Sequence, residues 1–345
     1  MMDRNKLIEH PFPKQGVRIK TLEYHTGGEP LRIIVDGFPE LAGKTILEKR
    51  NDCRERFDHL RTALMFEPRG HADMYGCLIV EPERADSHFG VLFLHNEGYS
   101  SMCGHAVIAV TKAMVESGAI PMTSPMTEVR IDSPAGQIRA FAHSDNDSVT
   151  SVHFENVPSF VYGHYQIANI MAEPIPVTIA YGGAFYAYVN ASAVDLTLRP
   201  DNHERIISLG RKIKQEVQRT LTIEHPFESD LSFIYGTIFV EPTDNETHSR
   251  NACVFADGEL DRSPTGTGVS GRAAIHYLEN DIELEQPVVI ESLLGSRFTV
   301  TALKETTFGP HQAIIPRVEG NAHFIGKNEF VVNSDDPLSH GFILR

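Results

Sequence analysis

The chain has 345 residues, of which 41% are hydrophobic and 22% charged, so it is long enough for one or two globular domains and is not a disordered protein. Its 31 basic and 46 acidic residues give a formal net charge of −15, which argues against a nucleic-acid partner. No stretch approaches the roughly 18 apolar residues of a membrane span, and the first residues lack the apolar core of a signal peptide. We therefore expect a cytoplasmic protein that binds neither membranes nor nucleic acid.

The four cysteines are widely spaced and form no Cys-x-x-Cys pair, so neither a disulfide framework nor a structural zinc site is indicated. Cys53, Cys77 and Cys253 lie in helical or strand-like patterns, where a free cysteine is most often a small buried hydrophobic residue. Cys103 lies in a glycine-containing turn instead. It is the one cysteine for which the sequence indicates a chemical role.

Taken in chain order, the predicted elements begin with a surface helix in the charged segment near Leu47. A strand follows from Met74 (MYGCLIVEP), and a second strand leads into the turn at Cys103. From His105 the sequence HAVIAVTKAMVES is apolar nearly all round and ends at Gly118, which predicts a buried helix with a glycine C-cap. Such a helix is expected to be enclosed by a sheet rather than to lie on its surface.

The second part of the chain repeats this order at an offset of about 160 residues. A surface helix is predicted near Arg199, and the segment from Ile234 (IYGTIFVEP) matches the first strand of the earlier part. A second glycine turn at Thr265 precedes a predicted helix after Gly268. We therefore expect two similar halves, each with strands curled around one helix.

Each glycine turn opens a predicted helix, whose first backbone N–H groups and positive dipole end favour an anion such as a carboxylate. Cys103 lies at the start of the first helix, where the dipole is expected to lower the thiol pKa below its usual value of about 8.5. The alternative is that Cys103 is a small buried residue without chemistry. The position in the turn favours an available thiolate.

The two turns resemble the active-site motifs of the proline racemase family. The first motif is MCGH at residues 102–105, and the second is DRSPTGTG at residues 261–268. The motif HTGGEP at residues 25–30 is shared as well, and the resemblance extends from about residue 17 to the C-terminus.

The resemblance implies an α/β (α+β) fold of the diaminopimelate epimerase type, with two pseudo-symmetric halves and the active site in the cleft between them. The internal repeat is an independent reason to expect this arrangement. We expect residues 1–160 to form the first half and residues 161–329 the second, and the C-terminal segment from about 330 to 345 to return to the first half. A homodimer is expected by family analogy.

One position departs from the racemase pattern. Racemases and 4-hydroxyproline epimerases of the family have a second cysteine where this chain has Thr265, and a hydroxyl group cannot act as the second base at neutral pH. A one-base site can still remove an α-proton, and the reaction is completed if a leaving group departs from the adjacent carbon. Cys-then-Thr is the pairing of the trans-3-hydroxy-L-proline dehydratases in this family, and the likeness is close to the animal-type members.

The resemblance therefore implies dehydration of a 3-hydroxyproline to pyrroline-2-carboxylate without a cofactor. Cys103 is expected to accept the α-proton, and Thr265 to orient the substrate or assist. Asp261 is expected to accept a hydrogen bond from the ring ammonium group. The substrate carboxylate is expected to be held by the backbone N–H groups of Gly104, His105, Gly266 and Thr267.

The sequence argues against two other kinds of site, a metal site and a dinucleotide-binding site. His25, His71 and His95 match no metal-ligand spacing, so no metal is expected. The run TGTGVSG from residue 265 contains the G-x-G-x-x-G spacing but lacks the strand-helix-strand context of a dinucleotide site. Tyr24, Phe66, Tyr99 and Phe185 are candidates for the apolar wall of a pocket for the pyrrolidine ring, although core packing is the more common role for any one of them.

Two other functions stay open at this point. One is a proline or hydroxyproline racemase or epimerase, in which a threonine relays a proton through water. The other is a catalytically inert imino-acid-binding protein. Cys103 argues against the second, because a binding protein does not need a thiol at a helix N-terminus.

Overall fold

The computed structural model describes residues 3–9, 15–243 and 245–344. Within these residues the α-helices are α1 (Arg4–Glu9), α2 (Ile46–Arg56), α3 (Asp58–Met65), α4 (Gly104–Glu116), α5 (His203–Thr220) and α6 (Gly266–Leu278). Short 3-10 helices span Ala191–Val194, Pro200–Asn202 and Ser229–Leu231. None of the helices in this part of the chain is long and apolar enough to cross a membrane.

The strands fall into two sets of nine within the same residues. The first set is β1 (Val17–Thr26), β2 (Glu29–Asp36), β3 (Tyr75–Val80), β4 (Phe89–His95), β5 (Gly98–Ser100), β6 (Met126–Ser133), β7 (Gly136–Asp145), β8 (Ser148–Glu155) and β9 (Phe160–Ile167). The second set is β10 (Ile175–Tyr181), β11 (Phe185–Asn190), β12 (Ile234–Pro242), β13 (Ser249–Phe255), β14 (Glu259–Leu260), β15 (Pro287–Glu291), β16 (Arg297–Phe308), β17 (His311–Gly320) and β18 (Ala322–Val332).

The strand pairing of the first set is repeated in the second. In the first set, β2 and β3 are parallel, β3 and β4 antiparallel, and β4 and β6 parallel. In the second set, β11 and β12 are parallel, β12 and β13 antiparallel, and β13 and β15 parallel. Strands β6 to β8 and β15 to β17 then continue as antiparallel ribbons. The predicted pseudo-symmetry of the fold is confirmed.

The last strand of each set pairs with the first strand of the other set. Strand β9 lies antiparallel to β10, and β18 lies antiparallel to β1 from the Val17–Val332 pair to the Thr26–Ala322 pair. Strands β8 and β17 also pair with each other. The chain thus crosses between the halves at β9 and at β18. A division near residue 160 stays a prediction.

The two central helices carry the interior of the fold. Helix α4 is buried along almost its whole length, and Gly118 follows it with φ of +76°, as predicted for its C-cap. Helix α6 begins at Gly266, three residues before the predicted start at Val269, and is buried through Ala274. Both helices belong to one hydrophobic core that contains residues of both halves.

The charged segment near Leu47 forms two helices instead of the one predicted. Helix α2 has a capping box in which Thr45 and Glu48 bond each other's backbone. The chain leaves the helical conformation at Phe57, whose ring packs edge-on against Phe38 at 6.1 Å. The charge pattern along the segment does not reveal where this break falls. The helix predicted near Arg199 is α5.

Candidate active site

The N-terminal ends of α4 and α6 lie against each other in the interior. A Cβ atom placed on Gly104 would lie 2.6 Å from the Cα of Gly266, and one on Gly266 would lie equally close to the Cα of Gly104. A side chain at either position would therefore overlap the opposing backbone. The contact brings the unpaired N–H groups of two helix starts to one place.

A small cavity lies where these helices begin, and all seven residues predicted for the site line it. They are Cys103, Gly104, His105, Asp261, Thr265, Gly266 and Thr267. The remaining wall consists of Met102 and the aromatic residues Tyr75, Tyr186, Tyr235 and Phe255. The cavity is thus bounded by both halves of the chain.

None of the four aromatic residues considered from the sequence lines the cavity, and packing elsewhere, the other role considered for them, is what the structure shows. Tyr24 packs on Phe324 with 5.4 Å between ring centroids, and the Tyr99 hydroxyl donates to Asp58. Phe185 lies in the core beneath α5, and Phe66 follows α3. Aromatic content alone does not tell which face of a strand meets the cavity. A better signal was available, because the Tyr-Gly pair shared by the two repeats begins with Tyr75 in one and Tyr235 in the other.

The Cys103 thiol is enclosed, with only 6% of the residue exposed. Burial raises the pKa of the Cys103 thiol well above its usual range, while the backbone N–H of Ala106 and the hydroxyl of Tyr75 act in the opposite direction. The expectation of a lowered thiol pKa is therefore wrong for this structure. The physical reason is that the thiolate loses its hydration in the cavity, and this loss outweighs the favourable helix end.

The side chain of His105 contacts the sulfur, with 3.1 Å between His105 Nδ1 and Cys103 Sγ. Burial lowers the pKa of His105 to about 4, so the imidazole is neutral at physiological pH. The backbone of Pro30 acts to raise the His105 pKa, and the neutral ring and the thiol share the hydrogen bond between Nδ1 and Sγ. From the sequence, His105 is expected as a backbone N–H donor to the substrate carboxylate.

Thr265 is held in an unusual backbone conformation, with φ of +68°. A positive φ is rare for a β-branched residue and is typical of functional sites. The Thr265 hydroxyl donates to Asp261 Oδ2 at 2.7 Å, and the same side chain acts to lower the pKa of the Cys253 thiol. The backbone N–H of Ser263 donates to the other oxygen of Asp261 at 2.7 Å. The hydroxyl proton of Thr265 is therefore already committed to Asp261.

A second carboxyl group lies behind Asp261. Glu29, from the shared motif at residues 25–30, is fully buried, and its Oε2 accepts the backbone N–H of Arg262 at 2.7 Å. Burial raises the pKa of Glu29 well above its usual range, and the charge of Asp261 raises it further. The raised pKa favours the protonated form of the Glu29 carboxyl group. Both Asp261 and Glu29 also raise the pKa of the Cys103 thiol.

One group of metal-binding side chains in the described part of the chain lies outside the cavity, and it is His248, His276 and Asp281. Asp281 Oδ2 lies 2.7 Å from His276 Nδ1 and 3.2 Å from His248 Nε2. Arg272 donates to His276 Nε2 at 2.7 Å, whereas a metal-bound imidazole carries a proton on its second nitrogen. The geometry therefore favours a hydrogen-bonded cluster over a metal site.

The glycine spacing that resembles a dinucleotide site has a packing role. Gly268 and Gly271 lie inside α6, and the Tyr188 hydroxyl donates to the Gly268 carbonyl at 2.8 Å. A Cβ atom on Gly271 would lie 2.2 Å from that hydroxyl oxygen. These glycines let α6 approach β11 closely.

Several proteins resemble this chain along almost its full length. A trans-3-hydroxy-L-proline dehydratase of Colwellia psychrerythraea is 55% identical over 95% of this chain and 93% of that protein. A 3-hydroxyproline 2-epimerase of Burkholderia multivorans is 44% identical over 95% of this chain and 98% of that protein. A trans-L-3-hydroxyproline dehydratase of the animal Saccoglossus kowalevskii is 42% identical over 93% of this chain and its entire length.

A similar solved structure is the hydroxyproline epimerase of Agrobacterium vitis with bound trans-4-hydroxy-L-proline. Its TM-score is 0.89 at 29% identity, and the match covers 95% of this chain and 96% of that chain. The family model described as proline racemase matches residues 21–343. The chain therefore belongs to the proline racemase family.

Proposed function

We propose that this protein dehydrates trans-3-hydroxy-L-proline to pyrroline-2-carboxylate. The observation that carries the proposal is a cavity with one thiol, Cys103, in which the second catalytic position of the racemases is a threonine whose hydroxyl is bonded to Asp261. The 55% identity to a relative named for this activity supports the same substrate.

The substrate carboxylate binds at the paired helix ends. The backbone N–H groups of Gly104, His105, Gly266 and Thr267 hold it, together with the negative charge that spreads into it when the α-proton leaves. The ring ammonium group binds to Asp261. The α-carbon then lies between the two helix starts and next to the sulfur of Cys103.

Substrate binding also prepares the base. Because the charge of Asp261 raises the pKa of the Cys103 thiol, an ammonium group bound to Asp261 offsets that effect and makes the thiolate more available. His105 is the nearest acceptor for the thiol proton. The thiolate therefore forms mainly when substrate is present.

The elimination is syn, since the 3-hydroxyl and the α-hydrogen lie on the same ring face. The Cys103 thiolate takes the α-proton, and the electron pair of the broken C–H bond forms the double bond to C3 as the C3–O bond breaks. The new S–H group protonates the departing hydroxyl, which leaves as water and restores the thiolate. The enamine tautomerises to pyrroline-2-carboxylate. Thr265 orients the substrate, and the reaction uses no cofactor.

Epimerisation is the second candidate, because a 44% identical relative is named as a 3-hydroxyproline 2-epimerase. It requires a proton donor on the second face of the ring. The Thr265 hydroxyl donates to Asp261, which favours dehydration.

Incubation of the purified protein with trans-3-hydroxy-L-proline in heavy water distinguishes these functions. A dehydratase gives pyrroline-2-carboxylate, whereas an epimerase gives the cis isomer with deuterium at the α-carbon. An inert binding protein gives neither product and no α-proton loss. Formation of the cis isomer without pyrroline product would contradict the proposal.

We also propose that the protein forms a homodimer and is located in the cytoplasm, as expected from the sequence. Light scattering during size-exclusion chromatography measures the mass of the assembly. A mass of one chain, 38.4 kDa, would contradict the homodimer.

A further inference from the structure

The peptide group between Pro264 and Thr265 is held at both of its polar ends. Its carbonyl oxygen accepts a hydrogen bond from Asn251 Nδ2 at 3.2 Å, and its N–H donates to Ser263 Oγ at 3.1 Å. Because the peptide group is planar, bonds at its two ends together fix its orientation. The φ angle of Thr265, +68°, is the rotation about the bond that leaves this plane.

We propose that Asn251 is a positioning residue that holds the turn at Thr265 in its strained conformation. A residue other than glycine keeps a positive φ where its surroundings enforce it. Asn251 acts through the Pro264 carbonyl and is not among the residues that line the cavity. The inference rests on the proposed function only in placing the substrate at the start of α6.

The two neighbours of Asn251 require an amide at this position. Asn251 Oδ1 accepts a hydrogen bond from Arg272 at 2.9 Å, while Nδ2 donates to the Pro264 carbonyl. A guanidinium group can only donate and a carbonyl oxygen can only accept, so the orientation of the amide is determined. Asn251 is also 1% exposed, so water does not compete for either bond.

Arg272 is fixed in turn by buried polar groups beside α6. Its guanidinium group donates to Ser249 Oγ at 2.6 Å and to His276 Nε2 at 2.7 Å, in addition to Asn251. Burial lowers the pKa of Arg272 to about 10, so the group is charged at neutral pH. Asp281 Oδ2 lies 2.7 Å from the other ring nitrogen of His276. The histidine cluster outside the cavity therefore orients the guanidinium group that orients Asn251.

The first half has no counterpart of the Asn251 side chain. Asn251 pairs with Val240 in the sheet, and the matching Val80 of the first repeat pairs with Gly90. A glycine has no side chain that could reach the turn before α4.

The first half has no counterpart of Arg272 either, and its turn is relaxed. Arg272 is the seventh residue of α6, and the seventh residue of α4 is Val110. Cys103 precedes α4 as Thr265 precedes α6, but its φ of −147° is an ordinary extended value. The polar bridge thus accompanies the strained turn and not the relaxed one.

Asn251→Asp tests the bridge with a side chain of nearly the same size. Arg272 keeps the carboxylate ionised, so it has no proton to donate to Pro264 and the turn should relax. Isothermal titration calorimetry measures the Kd of pyrrole-2-carboxylate, a planar mimic of the carbanion. We expect the Kd to rise about 10- to 100-fold, because the binding conformation is then only partly populated. The kcat/KM for dehydration should fall by a similar factor.

A second background separates positioning of the turn from a general structural role. Glycine adopts a positive φ about as readily as a negative one, so Thr265→Gly does not need the bridge to hold its turn. In that background Asn251→Asp should raise the Kd by about threefold or less. Asn190→Asp is the matched control with an unchanged Kd, because Asn190 is an exposed helix N-cap at which aspartate serves equally well.

A Kd for Asn251→Asp within about twofold of the wild type would overturn the proposal, as would an equal rise in both backgrounds. If Asn251→Asp does not fold, Arg272→Lys replaces it, since one ammonium group cannot serve all three partners of the guanidinium group. An unchanged Kd in Arg272→Lys would overturn the proposal equally. Because binding is measured without turnover, the result does not depend on whether the protein is a dehydratase.

Discussion

The hydroxyl of Thr265 donates to Asp261 Oδ2 across 2.7 Å, so the side chain at the second catalytic position of the family is engaged with the residue proposed to bind the substrate ammonium. Because of this hydrogen bond, the Thr265 hydroxyl proton is not available to protonate the second face of a planar carbanion. The site therefore has one catalytic base, where a racemase site has two.

Replacing Thr265 by cysteine should therefore create an epimerase. Thr265→Cys supplies a thiol at the start of α6 and removes the β-branch at a positive φ, so we expect the fold to be retained. The variant should racemise L-proline and epimerise trans-4-hydroxy-L-proline, neither of which has a leaving group at C3. Chiral chromatography measures both reactions.

Thr265→Ser is the matched control because it keeps a hydroxyl that can donate to Asp261. It should retain dehydration and show no racemisation. The assays need a reductant, because the introduced thiol would lie beside Cys253. Racemisation of L-proline by the wild-type protein would show that Thr265 is no barrier.

Cys103→Ala should reduce dehydration below about 1% of the wild-type rate, because it removes the proposed base. The change removes one sulfur atom, so the variant should still bind pyrrole-2-carboxylate, a planar mimic of the carbanion, as a shift of the melting temperature reports. Cys53→Ala changes a buried cysteine in α2 and should remain active. Appreciable activity in Cys103→Ala would place the base elsewhere.

Gly104→Ala should destabilise the protein by about 1 to 3 kcal/mol or more and abolish activity, because the methyl group would overlap the Cα of Gly266. Urea unfolding followed by circular dichroism gives the change in the free energy of unfolding. Gly326→Ala is the control, since a Cβ atom there meets no atom within 4 Å. Equal free energies of unfolding for the two variants would mean that the N-terminal ends of α4 and α6 can move apart without loss of stability.

The raised pKa of Glu29 predicts a specific pH dependence of stability. Its pKa is higher in the folded than in the unfolded protein, so its contribution to stability is complete below the unfolded value and is lost as the pH rises through the folded value. Glu29→Gln should therefore lose less stability than the wild type as the pH rises above the unfolded value of 4.5. Urea unfolding at several pH values measures this slope.

Glu216→Gln serves as the control for that slope. Hydrogen bonds from Arg219 lower the pKa of Glu216 to about 2, so this group is ionised in both states throughout the same pH window. Its substitution should leave the slope unchanged. Parallel slopes for Glu29→Gln and the wild type would mean that Glu29 is ionised in the folded protein.

The architecture could be predicted from the sequence because the two patterns that indicate it can each be recognised in short segments of the chain. The apolar run after His105 predicts a buried helix, and the match between the segments at Met74 and Ile234 predicts the two-fold topology. The motifs also brought all seven predicted site residues to one cavity.

The properties of the site that depend on distant parts of the chain were not predictable. The pKa of Cys103 depends on burial among residues of both halves. The dipole of α4, from which a lower pKa was expected, belongs to one half alone. The positive φ of Thr265 follows from the turn that Asp261 and Ser263 hold together. Tyr75 was visible in the repeat, but nothing local indicates that it lines the same cavity as Cys103.

The pairing of β9 with β10 and of β18 with β1 has a consequence for how such a chain could be built from smaller pieces. A polypeptide with one repeat alone would leave one sheet edge uncovered and would have a spare strand. If two copies exchanged these strands, the spare strand of each copy would cover the open sheet edge of the other, as in a domain-swapped dimer. In the joined chain the same exchange occurs within one molecule, so its completeness does not depend on protein concentration.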